Sequence, residues 1–429
     1  MYNKNMIKLT EIKSNTSKFR FKNYKRFNAS LHSRVLKVAK PLKNKKIVHI
    51  NATPEGGGVV ELLNSQVALE KDLGIKSYRF YIEAPKHFFQ ITKKIHNLLQ
   101  GMEKGLSRAE KSIYLKVNKR LGAQVKKLAE KLRPDLVVIH DPQPLPLVGY
   151  LPKDLPVILR FHGDISEPNE EALHFLKPYI EEYDAVIISS KNYIKPLSFV
   201  KDKLAVVLLA IDPLSEKNRE MNSVFAQKIL EKHGVNCLKP IVSQVSRFDP
   251  WKDPMGVVKA FYEAKEEIPD LQLVLSGIMQ AQDDPQAIEI YQEIKKMVKG
   301  SEDVFLFANK RDLRGADIDG FVSALYTAST IVIQKSLKEG FGLTITEAMW
   351  KGKAVIAGDA QGPRLQIQSG KNGIIVNSPR QAATAIVRLI NNQSLRKKLG
   401  QVAKQTVRKN FLFPRFVLDN LKVYRKLLD

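Results

Sequence analysis

Two acidic side chains, Glu339 and Glu347, bracket a glycine turn in the stretch Lys335-Ser-Leu-Lys-Glu-Gly-Phe-Gly-Leu-Thr-Ile-Thr-Glu-Ala-Met-Trp350, with seven residues between them. The stretch follows the apolar run Ile331-Val-Ile333, turns through Gly340 and Gly342, and continues with Ile345, Ala348 and Met349 at helical spacing. Strand, glycine turn and helix start is a geometry that offers free backbone N–H groups to an anion, here around Gly342, Leu343 and Thr344. A carboxylate accepts hydrogen bonds from sugar hydroxyls, so the chemistry suggested is recognition of a sugar joined to phosphate. On spacing alone, a surface loop with two solvated glutamates is an equal competitor.

Further candidates stand in loops directly after apolar runs. Asn51-Ala-Thr-Pro-Glu-Gly-Gly-Gly-Val-Val60 places Gly56, Gly57 and Gly58 between a strand and a helix, where glycine permits close backbone approach to a ligand. The Gly-x-Gly-x-x-Gly spacing is absent, which argues against a nicotinamide enzyme. His140-Asp-Pro-Gln-Pro144 and Phe161-His-Gly-Asp164 offer His140, Asp141 and Asp164 as partners for hydroxyl groups, and His162 as a group able to reach a reacting centre. In Ser246-Arg-Phe-Asp-Pro-Trp-Lys-Asp-Pro254, Arg247 and Lys252 form a cation pair of the kind a departing diphosphate needs. Each has a bland alternative: a flexible turn, a structural histidine, a salt-bridged loop. No nucleophile elbow is present, and Asp317-Ile-Asp319 reads as solvated rather than metal-binding.

The elements that must position these groups alternate. The first half offers strands at Lys46–Asn51, Tyr78–Ile82, Leu136–His140, Pro156–Arg160, Ala185–Ser189 and Ala205–Leu209. The second offers Pro240–Val245, Leu271–Leu275, Val304–Phe307, Ile331–Ile333, Ala354–Ala357 and Gly373–Val376. Their apolar runs are continuous rather than alternating, which predicts α/β sheets covered by helices on both faces. Twofold repetition predicts two doubly wound domains, with the joint near 211–238 and ligands at the carboxyl ends of the strands.

Composition is that of a globular protein of 429 residues, with 44% hydrophobic and 27% charged residues and no run long enough to cross a bilayer. The single cysteine, Cys237, excludes an internal disulfide, and with no apolar leader the expected location is cytoplasmic. Residues 1–46 carry fourteen lysines and arginines against one glutamate, half of the formal charge of +26. This segment reads as a solubilising basic tail (1–45) whose removal up to residue 40 should leave activity within a few-fold. No specific nucleic-acid partner is expected.

Taken together, these motifs resemble those of retaining GT-B glycosyltransferases of family 4, and most narrowly the trehalose synthases of the glycosyltransferring type. The resemblance rests on NATPEGGGVVELL, FFQITKKIHNLLQG, HDPQPLPL, IDPLSEKN, SRFDPWKDP and SLKEGFGLTITEAMWKGKAVIAG, from about residue 46 onward. Retaining trehalose phosphorylases are also similar. The resemblance implies two Rossmann-like domains facing across a cleft. These would be an acceptor domain (46–215), a nucleotide-sugar domain (216–408) and a C-terminal helix (409–429) crossing back to the first. It also implies transfer of glucose from a nucleotide-glucose to free glucose, giving α,α-trehalose reversibly and with no cofactor or metal. Arg247, Lys252, His162 and Glu339 would be catalytic. Gly56, Gly57, Gly58, Gly342, Leu343, Thr344 and Glu347 would bind the donor, and His140, Asp141 and Asp164 the acceptor. A phosphorylase or another retaining hexosyltransferase is the alternative, and a non-catalytic basic anion-binding protein the second. A homodimer is left open. One departure stands out: of the adjacent glycines usual in the family, Gly358-Asp-Ala-Gln-Gly-Pro-Arg-Leu-Gln-Ile367 keeps only Gly362.

Overall fold

The structure, a computed structural model, describes residues 7–13, 20–55, 57–277 and 285–429. The chain divides into two compact units, Met1–Leu209 with Phe413–Asp429, and Ala210–Leu412. In the first unit the strands are β1 (Lys8–Ile12), β2 (Lys46–Asn51), β3 (Lys76–Glu83), β4 (Leu136–His140), β5 (Val157–Arg160), β6 (Ala185–Ile188) and β7 (Leu204–Val206). They lie in the order β1-β3-β2-β4-β5-β6-β7, parallel except for the antiparallel edge strand β1. In the second unit β8 (Ile241–Val245), β9 (Gln272–Ser276), β10 (Val304–Phe307), β11 (Ile331–Gln334), β12 (Ala354–Gly358) and β13 (Ile374–Val376) lie in the order β10-β9-β8-β11-β12-β13, all parallel.

The second order is the doubly wound one, in which the connections reverse direction between β8 and β11 and open a crevice at the strand ends. Continuous apolar strands form here because both faces are covered. Val242, Leu273 and Leu275 enter one core cluster, while their strand neighbours Ile241 and Val274 enter another. Side chains alternate across a strand, so successive apolar residues serve opposite faces.

Among the described residues, twelve of the thirteen strands lie where the apolar runs predicted them, within about two residues, although β7 is shorter than Ala205–Leu209. The exception is informative. Residues 1–45, expected as a basic tail, contribute strand β1 and the helix Ala29–Ala39 to the first unit. Strand β1 pairs along its length with β3, from Lys8↔Glu83 to Ile12↔Arg79, and Phe21, Tyr24 and Val35 are buried. The reading of this segment as a tail outside the folded domain is therefore corrected.

The unit boundaries also differ from those expected at 215/216 and 408/409. They fall after Leu209 and after Leu412. The joint placed at 211–238 is not a linker: Ile211 forms a bridge with Leu412, and Ser223–Glu231 is a helix capped by Asn222. The closing helix Phe413–Leu428 belongs to the first unit, where Arg415 donates to the carbonyls of Leu208 and Leu209 and Asn420 accepts from Arg160.

Candidate active site

In the second unit the loops after β8 and β11 are joined. The carbonyl of Trp251 accepts from Leu337 N–H at 2.7 Å, and Gln334 Nε2 donates to the carbonyl of Val245 at 2.9 Å. Two ion pairs cross the same seam, Lys252 with Glu339 and Lys335 with Asp253. Asp253 also caps the helix Pro254–Glu267 by accepting from Gly256 N–H. Its left-handed backbone (φ 47°) is a conformation that aspartate tolerates better than most side chains. Lys252 and Glu339, expected as catalytic partners, are thus in direct contact.

The guanidinium of Arg247 is largely exposed and pairs with Asp249 at 3.1 Å, and Asp249 in turn accepts from Trp251 N–H.

The glycine turn after β11 behaves as its sequence suggests. Gly342 has φ 86° and immediately precedes the helix Leu343–Trp350, whose N-terminus has no side-chain cap. Leu343 and Thr344 occupy its first turn, so their N–H groups are among those a helix leaves unpaired at its start. Gly362 is required by close contact. A Cβ there would lie 2.6 Å from Phe341 backbone atoms, and its N–H donates to the Glu339 carbonyl at 2.8 Å.

Glu347, expected to bind the donor, lies in the helix Leu343–Trp350. Its carboxylate is 1% exposed, paired with Lys217 at 2.8 Å and accepting from Tyr326 OH at 3.2 Å. Lys217 lies in IDPLSEKN, a stretch that carried the resemblance without a role for this residue. A lysine between polar neighbours gives no sequence signal that it is aimed at a helix more than a hundred residues away.

In the first unit His140 and Asp141 end β4, and His162 and Asp164 follow β5, its neighbour in the sheet. His140 Nδ1 lies 3.0 Å from His162 Nε2, and Asp141 accepts from His162 N–H at 2.8 Å. Asp141 adopts φ 63°, and burial pushes its carboxyl up to about 7, against the lowering effect of that hydrogen bond and of Arg160. Asp164 accepts from Ser166 N–H through one oxygen; the other is buried with no hydrogen-bond partner among the described residues.

The glycine loop after β2 is held by buried Arg79, which donates to Asn51, Asn64 and the Thr53 carbonyl. Gly57, at φ 80°, then opens the helix Gly58–Asp72. Gly56 lies outside the described residues.

Sequence reasoning passed over His49 and Glu70. His49 stood in plain view within the apolar run of β2, where a histidine needs a partner. That partner is the Glu70 carboxylate at 3.0 Å, and His49 also contacts His140 at 3.1 Å. Of the remaining acidic pair, Asp317 and Asp319 are exposed, and Asp317 caps the helix Ile318–Ala328. No helix among the described residues is long and apolar enough to cross a membrane.

Comparison with known proteins gives the family and the fold. A family model described as "Trehalose synthase, N-terminal domain" matches residues 49–195, and one described as "Glycosyl transferases group 1" matches 225–406. The solved sucrose-phosphate synthase of Thermosynechococcus elongatus superposes with a TM-score of 0.69 at 17% identity, over 90% of this chain and 99% of that one, which establishes the GT-B fold. A trehalose phosphorylase of Pleurotus pulmonarius is 28% identical, over 87% of this chain but 56% of its own length. The trehalose synthase of Pyrococcus horikoshii is 37% identical, spanning 92% of this chain and 93% of that one. The chain belongs to the trehalose synthase family of GT-B glycosyltransferases.

Proposed function

We propose that the protein transfers glucose from a nucleotide-glucose to free glucose, forming α,α-trehalose reversibly and with retention at the anomeric carbon. The observation that carries this reading is the Lys252–Glu339 pair in the two joined loops, with the uncapped start of the helix Leu343–Trp350 following the second of them. These groups suit a sugar diphosphate: an ammonium and backbone N–H groups for the phosphates, a carboxylate for sugar hydroxyls. The bond between the anomeric carbon and the diphosphate oxygen breaks, and a bond to the acceptor hydroxyl forms. The acceptor proton goes to the departing phosphate, so the products are a nucleoside diphosphate and trehalose. The protein's own contribution is positioning and charge stabilisation, with Arg247 and Lys252 on the phosphates and Glu347 toward the ribose. His140, Asp141, His162 and Asp164 take the acceptor sugar. The match to a trehalose synthase over nearly the full length of both chains supports the synthase reading over the phosphorylase one.

Incubating trehalose separately with ADP, UDP and inorganic phosphate, and identifying the activated glucose released, tests the assignment. A nucleotide-glucose is expected. Glucose 1-phosphate from phosphate alone would transfer the assignment to a phosphorylase. Turnover only with another acceptor would leave the broader hexosyltransferase.

Within this reading Lys252→Ala is expected to lower kcat about 100-fold with a smaller change in donor KM, because its charge is needed most as the diphosphate departs. Steady-state kinetics of the folded variant checks this. Arg247→Ala should have a smaller effect, since its side chain is largely exposed and its charge is screened.

A further inference from the structure

The histidines of the first unit form one hydrogen-bonded chain that ends on a buried carboxylate. Glu70 Oε2 lies 3.0 Å from His49 Nε2, His49 Nδ1 lies 3.1 Å from His140 Nε2, and His140 Nδ1 lies 3.0 Å from His162 Nε2. Both ring nitrogens of His49 and of His140 are therefore used. At each join between neutral rings one nitrogen donates and the other accepts, so a single proton position sets all the others.

Glu70 fixes the polarity. It accepts from Ser77 Oγ at 2.6 Å and from Gln66 Nε2 at 2.9 Å as well as facing His49. Burial alone would raise its carboxyl. The hydrogen bonds it accepts from His49, Ser77 and Gln66 act against burial, and the carboxyl is held below its ordinary range. A carboxylate only accepts, so a neutral His49 carries its proton on Nε2 and presents a lone pair at Nδ1. His140 must then donate from Nε2 and accept at Nδ1, and His162 must donate from Nε2. The remaining nitrogen, His162 Nδ1, is buried with no hydrogen-bond partner among the described residues.

We propose that Glu70, His49 and His140 are positioning residues that lock His162 in its Nε2–H tautomer, leaving Nδ1 to accept a hydrogen bond from a sugar hydroxyl. The surroundings keep His140 and His162 neutral. Burial pushes His140 and His162 well below their ordinary values, with the positive charge of Arg160 acting on both and that of Arg79 on His140. Asp141 holds the His162 backbone from the other side through its N–H. The cluster is not a metal site: its ring nitrogens face one another, and among the described residues no group of His, Cys, Asp and Glu is placed to hold a metal ion.

A proton added to His49 would make both of its nitrogens donors and reverse every bond, turning His162 Nδ1 into a donor. Nitrogen NMR of the full chain with ¹⁵N-labelled histidine separates the two cases at neutral pH. The expected wild-type spectrum shows His162 protonated at Nε2 only, with an Nδ1 signal that moves on addition of glucose or trehalose. Protonation at Nδ1, or at both nitrogens, would overturn the lock. An Nδ1 signal unmoved by either sugar would overturn the sugar contact. Glu70→Gln supplies the second arm, because its amide can donate to His49 and invert the chain. His162 is then expected to carry its proton on Nδ1, and kcat/KM for the acceptor to fall about tenfold. A folded Glu70→Gln protein with unchanged tautomer and rate would overturn the relay. If that variant does not fold, the wild-type spectrum decides alone. The proposal takes the identity of the ligand from the trehalose reading, but the tautomer is read without turnover, so failure of that reading is seen separately.

Discussion

Deletion of residues 1–40 is expected to leave a chain that does not fold stably. The segment supplies the edge strand β1 and the helix Ala29–Ala39, which packs against the closing helix Phe413–Leu428. Phe21, Tyr24 and Val35 are at most 2% exposed. Burying an apolar side chain of this size contributes about 1.5–3 kcal/mol, so losing three removes roughly 4.5–9 kcal/mol. That is comparable with the whole net stability of a typical domain, about 5–15 kcal/mol. Polar links go too: Leu9 N–H donates to Gln124, and Phe21 N–H and Arg20 both donate to Asp72. The deletion also uncovers the edge of β3, a row of unpaired backbone groups that invites aggregation. Expression and thermal melting of residues 41–429 check this. A soluble protein with a cooperative transition close to that of the full chain would return the segment to the status of a tail.

The misreading of this segment has a physical cause. Most of its described cations are exposed, so charge density hides a sparse apolar pattern. In the helix only His32, Val35 and Ala39 are buried, three positions spaced to form a single stripe. Strand β1 is Lys-Leu-Thr-Glu-Ile, with no fully buried residue, which is what an edge strand covered on one face can tolerate. Strands such as Leu136–His140 were legible because every residue in them is buried, and a short run apolar on both faces rarely forms anything but a covered strand.

The site divides along the same line. Loops directly after such strands could be found from the sequence, and with them the positions of the candidates Lys252, Glu339, Gly342, His140 and His162. The side chains that pair with some of the candidates could not. Lys217 reaches Glu347 and Glu70 reaches His49 only after the chain has folded, and nothing in their local spacing announces those pairings. His49 was the one exception, since a histidine inside an apolar strand demands a buried partner.

Glu347→Ala is expected to damage stability and ligand binding together, and the two can be separated. Glu347 is buried against Lys217 and Tyr326, and Lys217 is itself only 9% exposed. Removing one partner of a buried ion pair is strongly destabilising, at a cost of about 3–5 kcal/mol. The second unit should therefore melt at lower temperature in the absence of any ligand. Replacing both partners by apolar residues of similar volume is often neutral, so the double variant Lys217→Met with Glu347→Leu should recover most of the lost melting temperature. It should not recover binding, because a carboxylate that holds ribose hydroxyls has no apolar substitute. Differential scanning with and without nucleoside diphosphate reads both quantities, since a ligand that binds only the folded protein raises its melting point. A double variant that melts like the wild type yet is no longer stabilised by nucleotide would assign Glu347 to the ligand. If nucleotide stabilises the double variant as fully as the wild type, the carboxylate serves the fold alone and the ribose must be held elsewhere.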